Sequence, residues 1–380
     1  MKKALIVANT LGLVEAFLGV DIETLENLGY EVHLACNAEI TDPSHEDWRE
    51  LHKKIAIHHA NFPVRNLAAR QLVECYFSLK KIMRMLEPDV VHCHTSIASV
   101  LARQAASRLK KKPFVIYTSH GFPFYEGCGK SQDLFYRSIE SHYSRKTDAI
   151  ITICKEDYEN AQRMHCPIVF LTHGMGISSD RYDEIDFDHA EFRHSLGVSD
   201  DAKIVLSIGE ICTNKNHEVV IRALSIIDNE GIVYIICGRE VSEQGKRAEL
   251  EKLAEDLGVD VIFLGYRKDV GKICRVADIG ALPSFKEGLG LGGIEMLAAG
   301  IPVVGSSRQG VKDYIEDGVT GFLCNPESPE SFAVGIEKAF ALAADVRTAE
   351  RCKKAAIPYR DKEAHAESRD IINSLLSSNE

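Results

Sequence analysis

The sequence predicts an α/β chain built as two doubly wound parallel-sheet domains. Three observations carry that prediction. The 380 residues are too many for one ordinary core and suit two domains of roughly 150–200 residues. Short runs rich in Val, Ile and Leu alternate with stretches of helical spacing, the pattern of a parallel sheet covered on both faces. The same alternation begins afresh past a charge-rich segment near the middle of the chain.

The first strand is expected at Lys3–Ala8, whose five-residue apolar core meets Asn9 at once and is too short for a secretory signal. Further strands are expected at Glu31–Cys36, Asp89–His94, Pro113–Thr118, Asp148–Ile153 and Pro167–Thr172. Between Glu31–Cys36 and Asp89–His94, Arg65–Leu86 has helical spacing, with Ala69, Leu72, Tyr76, Leu79, Met83 and Leu86 on one stripe. Arg70, Lys80, Lys81 and Arg84 lie off the stripe, while Val73 and Phe77 interrupt the polar side. The break between domains is expected between Thr172 and Lys203, where a flexible His173-Gly174-Met175-Gly176-Ile177 leads into the polar Asp180–His189 stretch. Strands then resume at Lys203–Ile208, Ile232–Cys237, Asp260–Leu264, Asp278–Leu282 and Pro302–Gly305, separated by helical stretches such as Val219–Ile227, Glu249–Leu257 and Leu291–Ala299. The domains read as 1–175 and 176–360, with 361–380 as a last helix returning to the first domain. Open α/β sheets bind ligands beyond the carboxyl ends of their strands, so the cleft between two such domains is the first place to look.

Charge narrows the function classes. The formal net charge is −11, and it is uneven: residues 1–180 carry 21 basic and 21 acidic side chains, against 24 and 35 for residues 181–380. A nucleic-acid binder would show a basic domain or stripe, so that class is disfavoured. No segment approaches the roughly 18–20 apolar residues needed to cross a bilayer. The 11 cysteines are scattered with no C-x-x-C pair, as expected of small buried hydrophobes in a reducing cytosol. The nearest approach to a metal-ligand cluster is His92-Cys93-His94. Alternation along a strand points Cys93 away from both histidines, and ordinary strand-end residues are the favoured reading there.

Two nucleotide motifs are missing. The turn after the first strand, Asn9-Thr10-Leu11-Gly12-Leu13-Val14-Glu15, has one glycine where a dinucleotide fold needs G-x-G-x-x-G, and no G-x-x-x-x-G-K-[ST] occurs. The densest signal is Glu287-Gly288-Leu289-Gly290-Leu291-Gly292-Gly293-Ile294-Glu295. Its four glycines let the main chain approach a ligand, and the helix expected to start near Leu291 points free amides at it, which suits a phosphate. Glu287 precedes the helix and Glu295 lies about one turn into it, so a carboxylate stands on either side to accept hydroxyls. Gly300 and Pro302 close the same helix.

With these residues the chain resembles the retaining glycosyltransferases of family 4, which have the GT-B fold of two facing Rossmann-like domains. The paired Glu287 and Glu295 carry the resemblance, supported by Ser207-Ile208-Gly209-Glu210, Lys215-Asn216-His217-Glu218, Gly265-Tyr266-Arg267, Ala277-Asp278 and Asp317-Gly318-Val319-Thr320-Gly321-Phe322-Leu323. In the first domain, His94-Thr95 and Tyr117-Thr118-Ser119-His120-Gly121-Phe122 look most like the branch found in bacterial capsule, exopolysaccharide and O-antigen clusters.

The resemblance implies roles. Glu287 would hydrogen-bond the donor sugar, amides of Gly288, Leu289, Gly290 and Leu291 would face that sugar and the phosphates, and Glu295 would hold the ribose. Lys215 would neutralise the diphosphate as charge builds on the leaving group; by spacing alone it reads as a solvated helix-start lysine. Main chain at Tyr266 or Arg267 would read the nucleobase, although a plain β-α turn accounts for those residues nearly as well. Gly12 would approach the diphosphate. His120 would lie near the reacting sugar, whereas without the resemblance it ranks with His94 and His173 as a strand-end histidine. Glu210 replaces the Arg that many family members carry, leaving Lys215 as the clear cation for the diphosphate.

The implied reaction is metal-independent transfer with retention, in which the leaving phosphate helps deprotonate the acceptor and no protein nucleophile is needed. No D-x-D triplet lies at a strand end, and no cofactor is expected beyond a nucleoside-diphosphate sugar, UDP-sugar first, carrying a hexosyl or N-acetylhexosaminyl group. The acceptor would be a lipid-linked or growing surface glycan. The basic residues of Arg65–Leu86 and the Lys110-Lys111-Lys112 cluster fit peripheral contact with an anionic membrane from the cytoplasmic side, although packing of that helix on its sheet explains its apolar stripe fully. A nucleotide-sugar epimerase of the same fold and a non-catalytic nucleotide-sugar or glycan-binding subunit are the competing readings.

Overall fold

In a computed structural model of the chain, residues 1–41, 48, 53–63, 68–182, 186–241 and 243–377 are described. Two compact units divide it: Met1–Met175 with Ala364–Glu380, and Gly176–Glu363. Each is organised around its own parallel sheet.

The first unit has seven strands: β1 (Lys2–Thr10), β2 (Tyr30–Asn37), β3 (Ala56–His59), β4 (Val90–His94), β5 (Phe114–Ser119), β6 (Ala149–Thr152) and β7 (Ile168–Leu171). They lie in the order β3-β2-β1-β4-β5-β6-β7, all parallel. Apolar residues cover both faces. Leu5, Val7, Val91, Cys93, Val115 and Tyr117 face one cluster, and Ala4, Ile6, Ala8, Val90, Ile116 and Ile151 the other. A strand buried on both sides must read as a continuous hydrophobic run, which is why these strands were visible in the sequence. β3 was not, because Ala-Ile-His-His is an edge strand with little buried surface.

The helix Ala69–Leu86 buries Cys75, Leu79, Ile82, Met83 and Leu86. Cys75 and Ile82 thus belong to the packed stripe, whereas Ala69 is exposed. Val73, Phe77 and Met85 stand out to solvent at 53%, 60% and 63% exposure. Residues 64–67, where the expected helical stretch began, lie outside the described residues. Of the lysine cluster, Lys111 pairs with Asp89 and Lys112 donates to the Ser107 carbonyl, so two of its three charges are already engaged within the fold.

The first unit also buries an ion pair. Arg103, on the helix Ser96–Ala106, places its guanidinium 2.8 Å from Glu140 and 4.3 Å over the Tyr117 ring, with no exposed surface. The helix Asp361–Ser377 supplies Ile371, Ile372, Leu375 and Leu376 to the cluster containing β1 and the helix Gly19–Asn27. Burial of such side chains is worth roughly 1.5–3 kcal/mol each.

The second unit has six strands: β8 (Lys203–Ile208), β9 (Ile232–Cys237), β10 (Asp260–Phe263), β11 (Ile279–Leu282), β12 (Val303–Ser306) and β13 (Gly321–Cys324), in the order β10-β9-β8-β11-β12-β13. All are parallel. β13 lies in the expected Asp317–Leu323 motif, whose glycines masked its extended character. The strand order reverses between β1 and β4 in one unit and between β8 and β11 in the other, and such switch points are where open sheets offer a ligand crevice.

Candidate active-site residues

At the β8/β11 switch point, two loops are tied together. Phe285 N donates to the Asn214 carbonyl at 2.9 Å, Asn214 Nδ2 to the Lys286 carbonyl at 2.9 Å, and Asn216 Nδ2 to the Pro283 and Pro326 carbonyls at 3.1 and 2.8 Å. Asn216 sits in the left-handed region at φ 54°, a conformation asparagine tolerates better than most residues. This stitching brings together two of the expected site residues. Lys215 Nζ donates to Glu287 Oε1 at 2.5 Å, with 22% and 13% of the side chains exposed. The lysine stem crosses Gly209, where a Cβ would stand 3.3 Å from Lys215 Cε.

His217 anchors the same loop from below. Its neutral ring donates Nε2–H to the Glu210 carbonyl at 3.2 Å and accepts the Tyr234 hydroxyl at Nδ1, 2.9 Å. Desolvation pushes it down to about 4. The unfolded chain protonates this histidine near 6.5, so the neutral ring's contribution is full above pH 6.5 and is lost as pH falls towards 4. The loss should reach up to about 3 kcal/mol. His217→Gln should flatten the pH dependence of urea unfolding in that window; an unchanged slope would remove this account.

The helix Leu291–Ala299 begins at Gly290, which is left-handed at φ 75° and offers no side-chain cap. Its first amides therefore have no side-chain acceptor, the arrangement that favours an anion. The glycines also serve the protein's own packing. A Cβ on Gly292 would lie 2.6 Å from the Ile208 carbonyl oxygen, and one on Gly310 1.8 Å from that of Gly288. The Tyr314 hydroxyl donates to the Gly290 carbonyl at 3.1 Å. Leu289 is buried, and Gly288 lies under the Gln309-Gly310 turn.

Glu295 is mostly enclosed, and one of its oxygens accepts the Tyr182 hydroxyl at 2.6 Å. Burial raises its carboxyl above the ordinary range, opposed by that bond and by Arg181. Tyr266 is half exposed with the Arg239 guanidinium 4.8 Å over its ring. The Arg267 side chain is held by Asp269 at 2.6 and 2.8 Å, leaving main chain as what that turn presents.

In the first unit, the β1/β4 switch point carries Thr95 in the left-handed half of the map at φ 63°. Such a backbone costs about 1–3 kcal/mol for a β-branched residue; the Thr95 hydroxyl donates to Asn9 Oδ1 at 2.6 Å. Gly12 lies inside the helix Leu11–Phe17 and its amide donates to the Ile40 carbonyl at 2.8 Å. A ligand approaching Gly12 would meet its missing side chain and not a free N–H. His120 Nε2 lies 3.2 Å from His94 Nδ1, and desolvation pushes His120 down to about 4. Next to them Asp21, buried, is pushed up to about 7, and His92 down to about 3, both mainly by desolvation.

Sequence reading missed Asp21, Tyr182, Asn216 and Tyr314 as partners of the expected residues. Asn216 carried a signal, lying between Lys215 and His217 in the quoted motif. Asp21 and Tyr182 carried none, because their partners are some 70 to 110 positions away in sequence.

Two parallel-sheet Rossmann-like units, each with its polar cluster at a switch point, form the architecture of the GT-B glycosyltransferases. Comparison with known proteins agrees. The family model described as glycosyl transferases group 1 matches residues 188–358, and that described as glycosyl transferase 4-like matches residues 12–154. EpsD of Bacillus subtilis (strain 168), a provisionally named glycosyltransferase, is 31% identical over 323 residues, covering 83% of this chain and 81% of EpsD. The UDP-Gal:alpha-D-GlcNAc-diphosphoundecaprenol alpha-1,3-galactosyltransferase of Escherichia coli is 25% identical, covering 82% of this chain and 80% of its own. Among solved structures, Anabaena HepE in complex with UDP-glucose superposes with a TM-score of 0.77 at 20% identity, covering the whole of both chains. The chain belongs to the family 4 glycosyltransferases and has exopolysaccharide-type relatives.

Proposed function

We propose that this protein transfers a sugar, with retention of anomeric configuration, from a UDP-sugar to a lipid-linked or growing surface glycan. The observation that carries the reading is the Lys215–Glu287 pair held beside the uncapped start of the helix Leu291–Ala299. A cation and a set of oriented amides are what a departing diphosphate requires. Glu287 then releases Lys215 to the phosphates and accepts a donor-sugar hydroxyl, Glu295 accepts the ribose hydroxyls, and Tyr266-Arg267 main chain meets the base. Lys215 and the amides do this without an ion bridging the diphosphate. His120 is the group the first unit offers to the reacting sugar. HepE with UDP-glucose and the E. coli galactosyltransferase with its diphosphoundecaprenol acceptor support the donor and acceptor classes.

Among the described residues no helix is long and apolar enough to cross a membrane. A lipid-linked acceptor would be met by peripheral contact at the cytoplasmic face, through Val73, Phe77 and Met85 with Lys80, Lys81, Arg84 and Lys110 around them. The test is release of UDP from a panel of UDP-hexoses and UDP-N-acetylhexosamines, with lipid-diphosphate-linked sugar presented in anionic or zwitterionic vesicles. One donor should turn over only with acceptor present, faster on anionic vesicles, and lose that preference in a Lys80→Ala, Lys81→Ala, Lys110→Ala variant. Donor binding without turnover on any acceptor would replace the transferase with a binding subunit, and epimerised UDP-sugar would replace it with an epimerase. Equal rates on both vesicles would sink the membrane contact alone.

A further inference from the structure

We propose that Asp21, His92 and His94 form a binding site for one divalent transition-metal ion of the zinc class, buried in the first unit and separate from any donor-diphosphate chemistry. The strand period of two sets His92 and His94 of β4 on one face, with ring centroids 4.2 Å apart. The helix Gly19–Asn27 brings Asp21 to the same place. Asp21 Oδ2 lies 3.6 Å from His94 Nε2 and 3.9 Å from His92 Nδ1, and the three ligand atoms all lie within 4.8 Å of one another. Ligands around a tetrahedral zinc, with bonds of roughly 2.0–2.1 Å, stand about 3.3 Å apart, so the Asp21 contacts at 3.6 and 3.9 Å are within a few tenths of an ångström of that spacing and the two rings would draw together around the ion.

Hydrogen bonding makes the case for a cation. The outer nitrogens are engaged: His92 Nε2 with Thr118 Oγ1 at 2.8 Å and His94 Nδ1 with His120 Nε2 at 3.2 Å. The inner nitrogens, His92 Nδ1 and His94 Nε2, have no protein hydrogen-bond partner although the two residues are 1% and 0% exposed. Buried polar atoms are rarely left this way. If both rings donate outward, two bare lone pairs and a carboxylate oxygen meet in a buried space. If they donate inward, each N–H points at an oxygen too far away to accept it. A protonated Asp21 could serve one nitrogen at most, whereas one divalent ion satisfies all three atoms. Two imidazoles with one carboxylate select zinc-class ions over magnesium or calcium, which demand oxygen ligands. The outer bonds to Thr118 and His120 are the kind of second-layer contact that orients metal-binding histidines.

The ion would act as a clamp. It would join β4 to the helix Gly19–Asn27, and through the bond from Ser368 Oγ to Asp21 Oδ1, 3.1 Å, to the C-terminal helix segment. It would also fix the ring of His94 against His120.

The experiment uses the full chain, so that neither donor nor acceptor need be known. Protein stripped with chelator under mild denaturation and refolded is titrated with Co²⁺, reading the visible d–d absorption, and then with Zn²⁺ in competition; zinc in protein purified without chelator is measured by elemental analysis. The expected result is one ion per chain, a cobalt band of tetrahedral type, with water as the fourth ligand, that zinc abolishes, and a rise of several degrees in Tm on adding zinc. Asp21→Asn, which keeps size and can still accept from Ser368, and His94→Gln should each lose the band. Should those variants fail to fold, the wild-type cobalt band and zinc stoichiometry decide alone. Zinc well below one per chain with no cobalt band in the wild type overturns the site, as does a band of full intensity in folded Asp21→Asn.

Discussion

Glu287→Ala is expected to lower kcat/KM for sugar transfer by about a hundred- to a thousandfold, the loss that follows when one oriented polar group is removed from a developing charge. The substitution takes away the acceptor proposed for the donor sugar and also the carboxylate that positions Lys215. The fold should hold. The freed Lys215 is partly solvated, at 22% exposed, so breaking this pair costs on the order of 1 kcal/mol or less after screening. Glu287→Gln keeps one acceptor oxygen and should fall between the two. Steady-state UDP release with saturating acceptor, beside a urea melt, measures both quantities. Turnover of Glu287→Ala within tenfold of wild type would leave the proposed role of this residue without support.

The largest effect on stability is expected from Glu140→Leu. It strands the Arg103 guanidinium in the core of the first unit, where the rings of Tyr117 and Tyr143 and the Ser99 carbonyl at 3.1 Å would be its remaining neighbours of note. Breaking a buried pair from one side costs about 3–5 kcal/mol, because the remaining charge is neither solvated nor matched. Removing both sides is different. The double variant Arg103→Met with Glu140→Leu should recover most of the loss, since two apolar groups of similar volume replace a pair whose attraction was offset by desolvation. Denaturant unfolding of both single variants and the double variant gives the coupling. A double variant as unstable as the sum of the singles would mean that the two charges act independently, against the geometry described above.

How much of this could be read in advance follows from where the physics is local. Strands such as β1, β4 and β8 are buried on both faces, so their Val, Ile and Leu content declares them. β3 packs little and pairs at an edge, and its four residues carry no pattern that distinguishes a strand from a loop. The glycine cluster ahead of Leu291 was legible because a tight turn needs glycine at particular neighbouring positions. Its close approaches proved to include the Ile208 and Gly288 carbonyls, which periodicity cannot reveal. The salt bridge of Lys215 and Glu287 spans 72 positions, and the meeting of Asp21 with His92 and His94 needs a helix and a strand to be placed side by side. The sequence marked His92 and His94 and rightly turned Cys93 away, since Cys93 Sγ donates to the Ile116 carbonyl at 3.2 Å; it had no means of finding the carboxylate.

The return of residues 364–377 to the first unit bears on how the chain is made. Ile371, Ile372, Leu375 and Leu376 complete a core that β1 and the helix Gly19–Asn27 begin. They leave the ribosome only after the whole of Gly176–Glu363, roughly 10–40 s of synthesis later at ordinary elongation rates. Through that interval the first unit lacks four side chains of one apolar cluster, the rest of whose cover comes from the helices Leu11–Phe17 and Gly19–Asn27. The part of that cluster left open is the surface that a chaperone would hold until the helix Asp361–Ser377 arrives.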